Sequence, residues 1–178
     1  MKAVLALGSN LGDRLGTLQG AIDSLFGAPG LEFVAVSPVY ETDPVGGPEQ
    51  DPYLNAVVVA ESSLEPRTLL DRAQGVENAF GRVRAERWGP RTLDVDLIAL
   101  QDPAGGGTGD GAGADVVSDD PLLTLPHPRA HERAFVLVPW LQADPGATLL
   151  GRPVAELLAG LDKGYVRLRA DLTLQAPA

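Results

Sequence analysis

The order of its apolar runs constrains this chain most. Compact runs of strand character lie at residues 3–7, 31–40, 53–60 and 92–100. A stretch of helical spacing follows the first run, and another follows the third. Leu15, Leu18, Ile22, Leu25 and Phe26 share one face of the earlier stretch, which Asp13 can cap and Pro29-Gly30 ends. Leu69, Ala73, Val76 and Phe80 share one face of the later one, and Pro66 fits its first turn. Gly8-Ser9-Asn10 reads as a turn after the first strand, and Asp43-Pro44, Gly46-Gly47-Pro48 and Asp51-Pro52 break the chain before residue 53. The order is β-α-β-β-α-β. This split pattern predicts an α+β sandwich with helices on one face of an antiparallel sheet.

The chain's 178 residues suit a single domain spanning 1–178, and 44% hydrophobic content is enough for its core. Residues 101–120 differ in character. Six glycines lie between Gly105 and Gly113, and five aspartates are scattered through the segment. That composition predicts a flexible insertion. Beyond it, 121–128 reads as extended, 132–142 and 153–161 as short helices, and 164–170 as a final strand.

Charge and composition exclude several functions. A net charge of -10 argues against nucleic acid or an anionic membrane as partner, since either needs a basic face. The absence of cysteine removes disulfides, zinc–thiolate sites and thiol nucleophiles. The apolar run after Met1 is too short for a signal peptide, and no stretch approaches a membrane span. The expectation is a cytoplasmic monomer acting on small molecules.

The strongest chemical signal is Asp94-Val95-Asp96. Strand side chains alternate, so both aspartates point to one face, about 7 Å apart. An exposed edge strand with a charged face would show the same pair. Here Leu93, Val95 and Leu97 bury the opposite face, and Ile98 and Leu100 are expected to bury the far end of the same one. A cation is then the natural partner, and carboxylate oxygens suit magnesium, which completes its shell with water and phosphates.

Arg82, Arg84, Arg87 and Arg91 put four of the 14 basic residues into ten positions just upstream. They could form surface ion pairs with Glu77 and Glu86. Guanidinium forks also match phosphate oxygens, and arginines beside paired carboxylates are what a polyphosphate needs. Trp88, within this loop, fits either the core or a lid.

These segments resemble a known family. Arg87-Trp88-Gly89-Pro90-Arg91-Thr92-Leu93-Asp94-Val95-Asp96-Leu97-Ile98 is similar to the signature of 6-hydroxymethyl-7,8-dihydropterin pyrophosphokinases of folate biosynthesis. Leu7 to Asp13, Tyr53-Leu54-Asn55-Ala56, Glu77 with Gly81 to Arg84, and Leu125-Pro126-His127-Pro128 with Arg133-Ala134-Phe135 agree in the same order. The resemblance implies a ferredoxin-like sandwich, an antiparallel sheet with helices on its faces, followed by C-terminal helices and a strand. It implies an ATP-dependent diphosphotransferase that passes a pyrophosphoryl group to the pterin's hydroxymethyl oxygen and releases AMP. It implies two magnesium ions on Asp94 and Asp96, with Arg82 and Arg91 neutralising the triphosphate and Arg84 nearby. Gln74, Glu77, Ile98, Thr124, His127 and Arg133 would surround ATP, and Thr42, Asp43, Val45 and Trp88 would adjoin the pterin.

The pterin side also has a physical reading. A flat ring with a hydrogen-bonding edge calls for aromatics and an amide. Tyr53 and Phe135 can sandwich the ring, and Asn55, in an apolar strand, can meet its edge. The alternative is that both rings are core and Asn55 bonds a loop backbone. In departure from relatives, Asp43 stands where many carry proline and Leu122 where some carry a basic residue. Two other functions fit parts of the pattern: a magnesium-dependent nucleotidyltransferase, and a non-catalytic ligand-sensing module.

Overall fold

A strand that is apolar on almost every residue must sit in mid-sheet with both faces covered, and β1 (Lys2–Ser9) does. The computed structural model describes residues 1–43, 51–81, 93–103 and 114–178. β1 runs through Gly8 and Ser9, which are strand and not turn. Helix α1 (Arg14–Leu25) follows, capped by Asp13, whose carboxylate accepts from the Gly16 amide at 3.0 Å.

The stretch expected as one strand over 31–40 is two, β2 (Leu31–Val36) and β3 (Tyr40–Thr42). Pro38 has no N–H to give to a ladder. Ser37 holds the break in place: its amide donates to the Val57 carbonyl and its hydroxyl accepts from the Val57 amide, each at 2.9 Å. Both strands pair with β4 (Tyr53–Ser62). Helix α2 (Pro66–Gly81) and strand β5 (Asp94–Asp102) come next.

The insertion expected over 101–120 does not run that far. Gln101 and Asp102 end β5, and β6 (Ala114–Asp115) and β7 (Ser118–Asp120) are strands. Polar anchoring explains it. The buried Gln101 amide donates to the Thr148 carbonyl at 2.7 Å and to Asp115 at 3.3 Å, and Asp115 also accepts from the Leu150 amide. Burial pushes the Asp115 carboxyl above the usual carboxylate range. Residues 104–113 lie outside the described residues.

The chain continues through β8 (Leu123–Leu125), a 3-10 turn (Ala130–Glu132), α3 (Ala134–Ala143), β9 (Thr148–Leu149), β10 (Arg152–Pro153), α4 (Val154–Ala159) and β11 (Val166–Leu168). The main sheet is antiparallel in the order β11-β3-β4-β1-β5-β6, with β2 beside the far end of β4. Leu5, Leu7, Ala56 and Val58 pack against Leu18 and Ile22 of α1 and Leu69 and Ala73 of α2. On the other face Val4, Val57 and Ile98 meet Leu137 and Trp140 of α3 and Val154 of α4. No helix among the described residues is long and apolar enough to cross a membrane.

Strand β5 does not alternate evenly. Leu97 lies opposite Leu5 and Ala99 opposite Val4, so Ile98 is the extra residue of a β-bulge. Ile98 and Ala99 therefore both face α3, while Leu100 joins the α1–α2 layer. The expectation that Leu100 shares a face with Asp94 and Asp96 is corrected: the bulge carries it to the opposite side.

Trp140 is fully buried, and its indole nitrogen has no hydrogen-bond partner among the described residues. Trp140→Ala is expected to cost about 3–5 kcal/mol in urea unfolding, the usual penalty for emptying a large buried site. Trp140→Phe should cost clearly less, because it keeps a ring and removes an unpaired N–H.

Candidate active site

Strand register builds the site. Gly8 of β1 lies opposite Asn55 of β4 on one side and Asp94 of β5 on the other. One step along, Ala6 lies opposite Val57 and Asp96. Asn55, Gly8 and Asp94 thus form a row across three neighbouring strands, roughly 10 Å wide at sheet spacing. Asp96 stands in the next row. The row faces α3 and floors a cavity of about 370 Å³.

Gly8 explains how the row is usable. A β-carbon there would lie 2.9 Å from the Asn55 amide nitrogen. A glycine inside a strand marks such a close approach, so the residue serves the cavity and not a turn. Asn55 is 8% exposed and is fixed from two sides. Its carbonyl accepts from the Thr42 hydroxyl, and its NH₂ donates to the Leu7 carbonyl at 3.5 Å. One N–H and one lone pair of the amide remain for a ligand.

Tyr53 and Phe135 line the same cavity from β4 and α3, so both expected stacking rings are brought to one place with Asn55. Arg133 also lines it, with its guanidinium 5.6 Å from the centre of the Phe135 ring. Arg133 was expected beside ATP. Thr42 and Asp43 form one wall, and the structure braces that wall from behind. Glu41, between Tyr40 and Thr42, accepts from Arg14 at 3.3 Å, Arg167 at 3.4 Å and Arg169 at 2.9 Å. Burial alone would raise its carboxyl, but these guanidiniums outweigh it and hold Glu41 below the usual range.

A second cavity, of about 260 Å³, opens on the outer edge of β5. Gln74, Glu77, Thr124 and His127 line it, and Asp96 lines both cavities. Glu77 has a structural task as well: its carboxylate accepts the Val95 amide at 2.9 Å. His127 engages the same edge, its amide donating to the Ile98 carbonyl at 2.8 Å. Ile98, expected near ATP, has its side chain in the α3 core at 1% exposure and lines neither cavity. Alternation from Asp96 carries it to the face that α3 covers. Leu122 sits at the rim of the second cavity, 67% exposed.

Burial, reinforced by the charges of Arg133 and Arg129, pushes the His127 imidazolium below the ordinary histidine range. Its Nδ1 accepts from the Arg129 amide at 3.3 Å, which leaves the proton on Nε2. A folded value below the unfolded one has a definite sign. Above about pH 6.5 both states are neutral there and His127 contributes no slope. Below it the unfolded chain takes up the proton first, so stability falls with pH until the folded value is passed. The chain has two histidines, so the His127→Gln variant isolates the effect. Its thermal midpoint is expected to vary less than the wild type's from pH 7 to 5.

Asp94 and Asp96 are half-buried carboxylates of one strand at the cavity floor. Among the described residues no third acidic or histidine side chain joins them in a metal-holding cluster. Two hard oxygen donors with room above them fit magnesium, which keeps waters and takes its remaining ligands from phosphates. Arg82, Arg84, Arg91, Trp88 and Val45 lie outside the described residues. Gly8, Arg129, Glu132 and Tyr165 line the first cavity without having been expected there. Only Gly8 carried a signal, as a glycine continuing an apolar strand.

Comparison with known proteins agrees with this geometry. The model of the 7,8-dihydro-6-hydroxymethylpterin-pyrophosphokinase (HPPK) family matches residues 4–145. The chain is 50% identical over 175 residues to the 2-amino-4-hydroxy-6-hydroxymethyldihydropteridine pyrophosphokinase of Mycobacterium tuberculosis, covering 94% of this chain and 89% of that one. It is 38% identical to the enzyme of that name from Pseudomonas aeruginosa, covering 89% and 90%. In fold it is similar to a crystallised HPPK-DHPS in complex with substrates, at TM-score 0.63 and 12% identity, over 89% of this chain but 44% of that longer one. The wild-type HPPK-DHPS of Plasmodium falciparum gives TM-score 0.58 at 13% identity over the same shares. The matched residues take in Asn55, Asp94, Asp96 and His127 alike, and so residues of both cavities and the row that joins them: the chain belongs to the 7,8-dihydro-6-hydroxymethylpterin-pyrophosphokinase family.

Proposed function

We infer that this chain transfers the pyrophosphoryl group of ATP to the hydroxymethyl oxygen of 6-hydroxymethyl-7,8-dihydropterin, giving the pterin diphosphate and AMP, a step of folate biosynthesis. One observation carries the reading: Asn55 and Asp94 flank Gly8 in a single row, and Asp96 belongs to both cavities. Acceptor and donor can therefore meet over one pair of carboxylates.

The first cavity takes the pterin. Asn55 bonds the ring edge with the N–H and lone pair that Thr42 and Leu7 leave free. Tyr53 and Phe135 cover its faces, and Thr42 and Asp43 close the side. The second cavity takes the nucleotide, between Gln74, Glu77 and Thr124, with the Nε2–H of His127 donating to a phosphate oxygen. Arg133, facing the first cavity, meets the phosphates from the pterin side. Asp94 and Asp96 hold two magnesium ions, which supply positive charge against the phosphates when bound. Arg82, Arg84 and Arg91 add charge to the triphosphate, and Trp88 and Val45 complete the pterin side. On this reading the enzyme is a monomer acting on small substrates, in the cytoplasm as membership of the family suggests.

The test is a product assay with ATP, magnesium and the hydroxymethyl pterin. AMP formed only when the pterin is present supports the reading. Pyrophosphate release would replace it with nucleotidyl transfer, and tight pterin binding without turnover would replace it with a sensing role.

A further inference from the structure

Strand β11 lies beyond residue 145, where the match to the family model ends, yet the residue that leads into it lines the acceptor cavity. It pairs with β3, Val166 opposite Thr42 and Arg167 opposite Glu41. Just before it, Tyr165 lines the first cavity together with Tyr53, Asn55 and Phe135. Tyr165 is half-buried and packs against the α3 side of the core. Its carbonyl accepts the Asp43 amide at 3.4 Å, and Arg167 grips the Asp43 carboxylate through two hydrogen bonds of 3.0 Å. Glu41 takes a third bond from Arg167. These contacts tie residue 165 to the wall that holds Asn55, because Thr42 lies opposite Val166 in the sheet and its hydroxyl donates to the Asn55 side-chain carbonyl.

The aromatic count sharpens the point. The chain has nine aromatic residues, two Trp, three Tyr and four Phe. Three of them, Tyr53, Phe135 and Tyr165, line this one cavity. Phenol rings combine a large apolar face with a polar tip. No residue among those described hydrogen-bonds the Tyr165 hydroxyl, so both parts of the side chain are available to a ligand.

We propose that Tyr165 is a specificity-determining residue that contacts the flat acceptor ring, placed there by the C-terminal strand β11. The inference rests on the pyrophosphokinase reading above. It makes the last segment of the chain a wall of the acceptor site.

Steady-state kinetics of the full-length chain test it, varying pterin at saturating ATP and ATP at saturating pterin. Loss of one aromatic contact is expected to raise the pterin KM about five- to tenfold in Tyr165→Ala, with the ATP KM unchanged. Tyr165→Leu keeps apolar bulk against α3 and should show the same rise, which guards against a folding failure of the alanine variant. Tyr165→Phe should restore most of the pterin KM. An unchanged pterin KM in both Tyr165→Ala and Tyr165→Leu would overturn the proposal. So would an equal rise of both KM values alongside a lowered melting temperature, the mark of a merely structural role. A wild-type chain that releases no AMP with pterin present would overturn the functional reading and this inference together. An active wild type with unaffected variants would overturn this inference alone.

Discussion

Replacing Asp96 by alanine is expected to reduce kcat by about a thousandfold or more, since metal-borne charge stabilisation of a transferring phosphoryl group is worth several kcal/mol. Asp96 is the residue on which this loss should be largest, because it lines both cavities. Asp94 lines only the first. The fold should survive. Asp96 lies next to Ala6 on a strand whose opposite face carries Leu93, Val95 and Leu97 into the core, and alanine leaves that packing intact. Asp96→Asn keeps the shape and removes the charge, so it should lose nearly as much activity as the alanine variant. Melting curves of both variants should lie within a few degrees of wild type. An Asp96→Asn enzyme with near-normal turnover in saturating magnesium would remove the metal assignment.

The second large effect is expected at Asn55. Its amide is held by Thr42 and Leu7 and presents its remaining N–H and lone pair to the cavity. Asn55→Ala deprives a bound ring edge of its partner. An unsatisfied polar group in such a site costs about 1–3 kcal/mol, which corresponds to a pterin KM raised roughly 5- to 150-fold. The ATP KM should stay near wild type, because Asn55 does not line the second cavity. Thr42→Val should move the pterin KM the same way but less, since it frees the amide to turn without removing it. Asn55→Ala that lowers the melting temperature and leaves the pterin KM untouched would make Asn55 a core residue only.

Much of the architecture could be read from the chain because local signals and packing agree. The Asp13 cap, the Leu18–Ile22–Leu25 stripe, the helix opening at Pro66 and the apolar β1 and β4 all emerge as expected. The pair Asp94 and Asp96 also faces one cavity, as strand alternation requires. What the chain does not announce are features made between segments. The break between β2 and β3 depends on Ser37 reaching Val57, a partner 20 residues away. The bulge at Ile98 shows only when β5 is laid against β1, and it moves Leu100 to the other face. Asp115 looks like part of a polar, glycine-rich stretch until Gln101 and Leu150 are seen to hold it. Tyr165 gives no local hint of its position, because β11 reaches the site only by pairing with β3.

The central claim concerns which phosphorus moves. ATP labelled at the β-phosphorus, incubated with the enzyme, magnesium and the hydroxymethyl pterin, is expected to leave its label on the pterin product. ATP labelled at the α-phosphorus should leave its label in AMP. Label from the α-phosphorus on the pterin, with β-label released as pyrophosphate, would contradict pyrophosphoryl transfer and make the chain a nucleotidyltransferase.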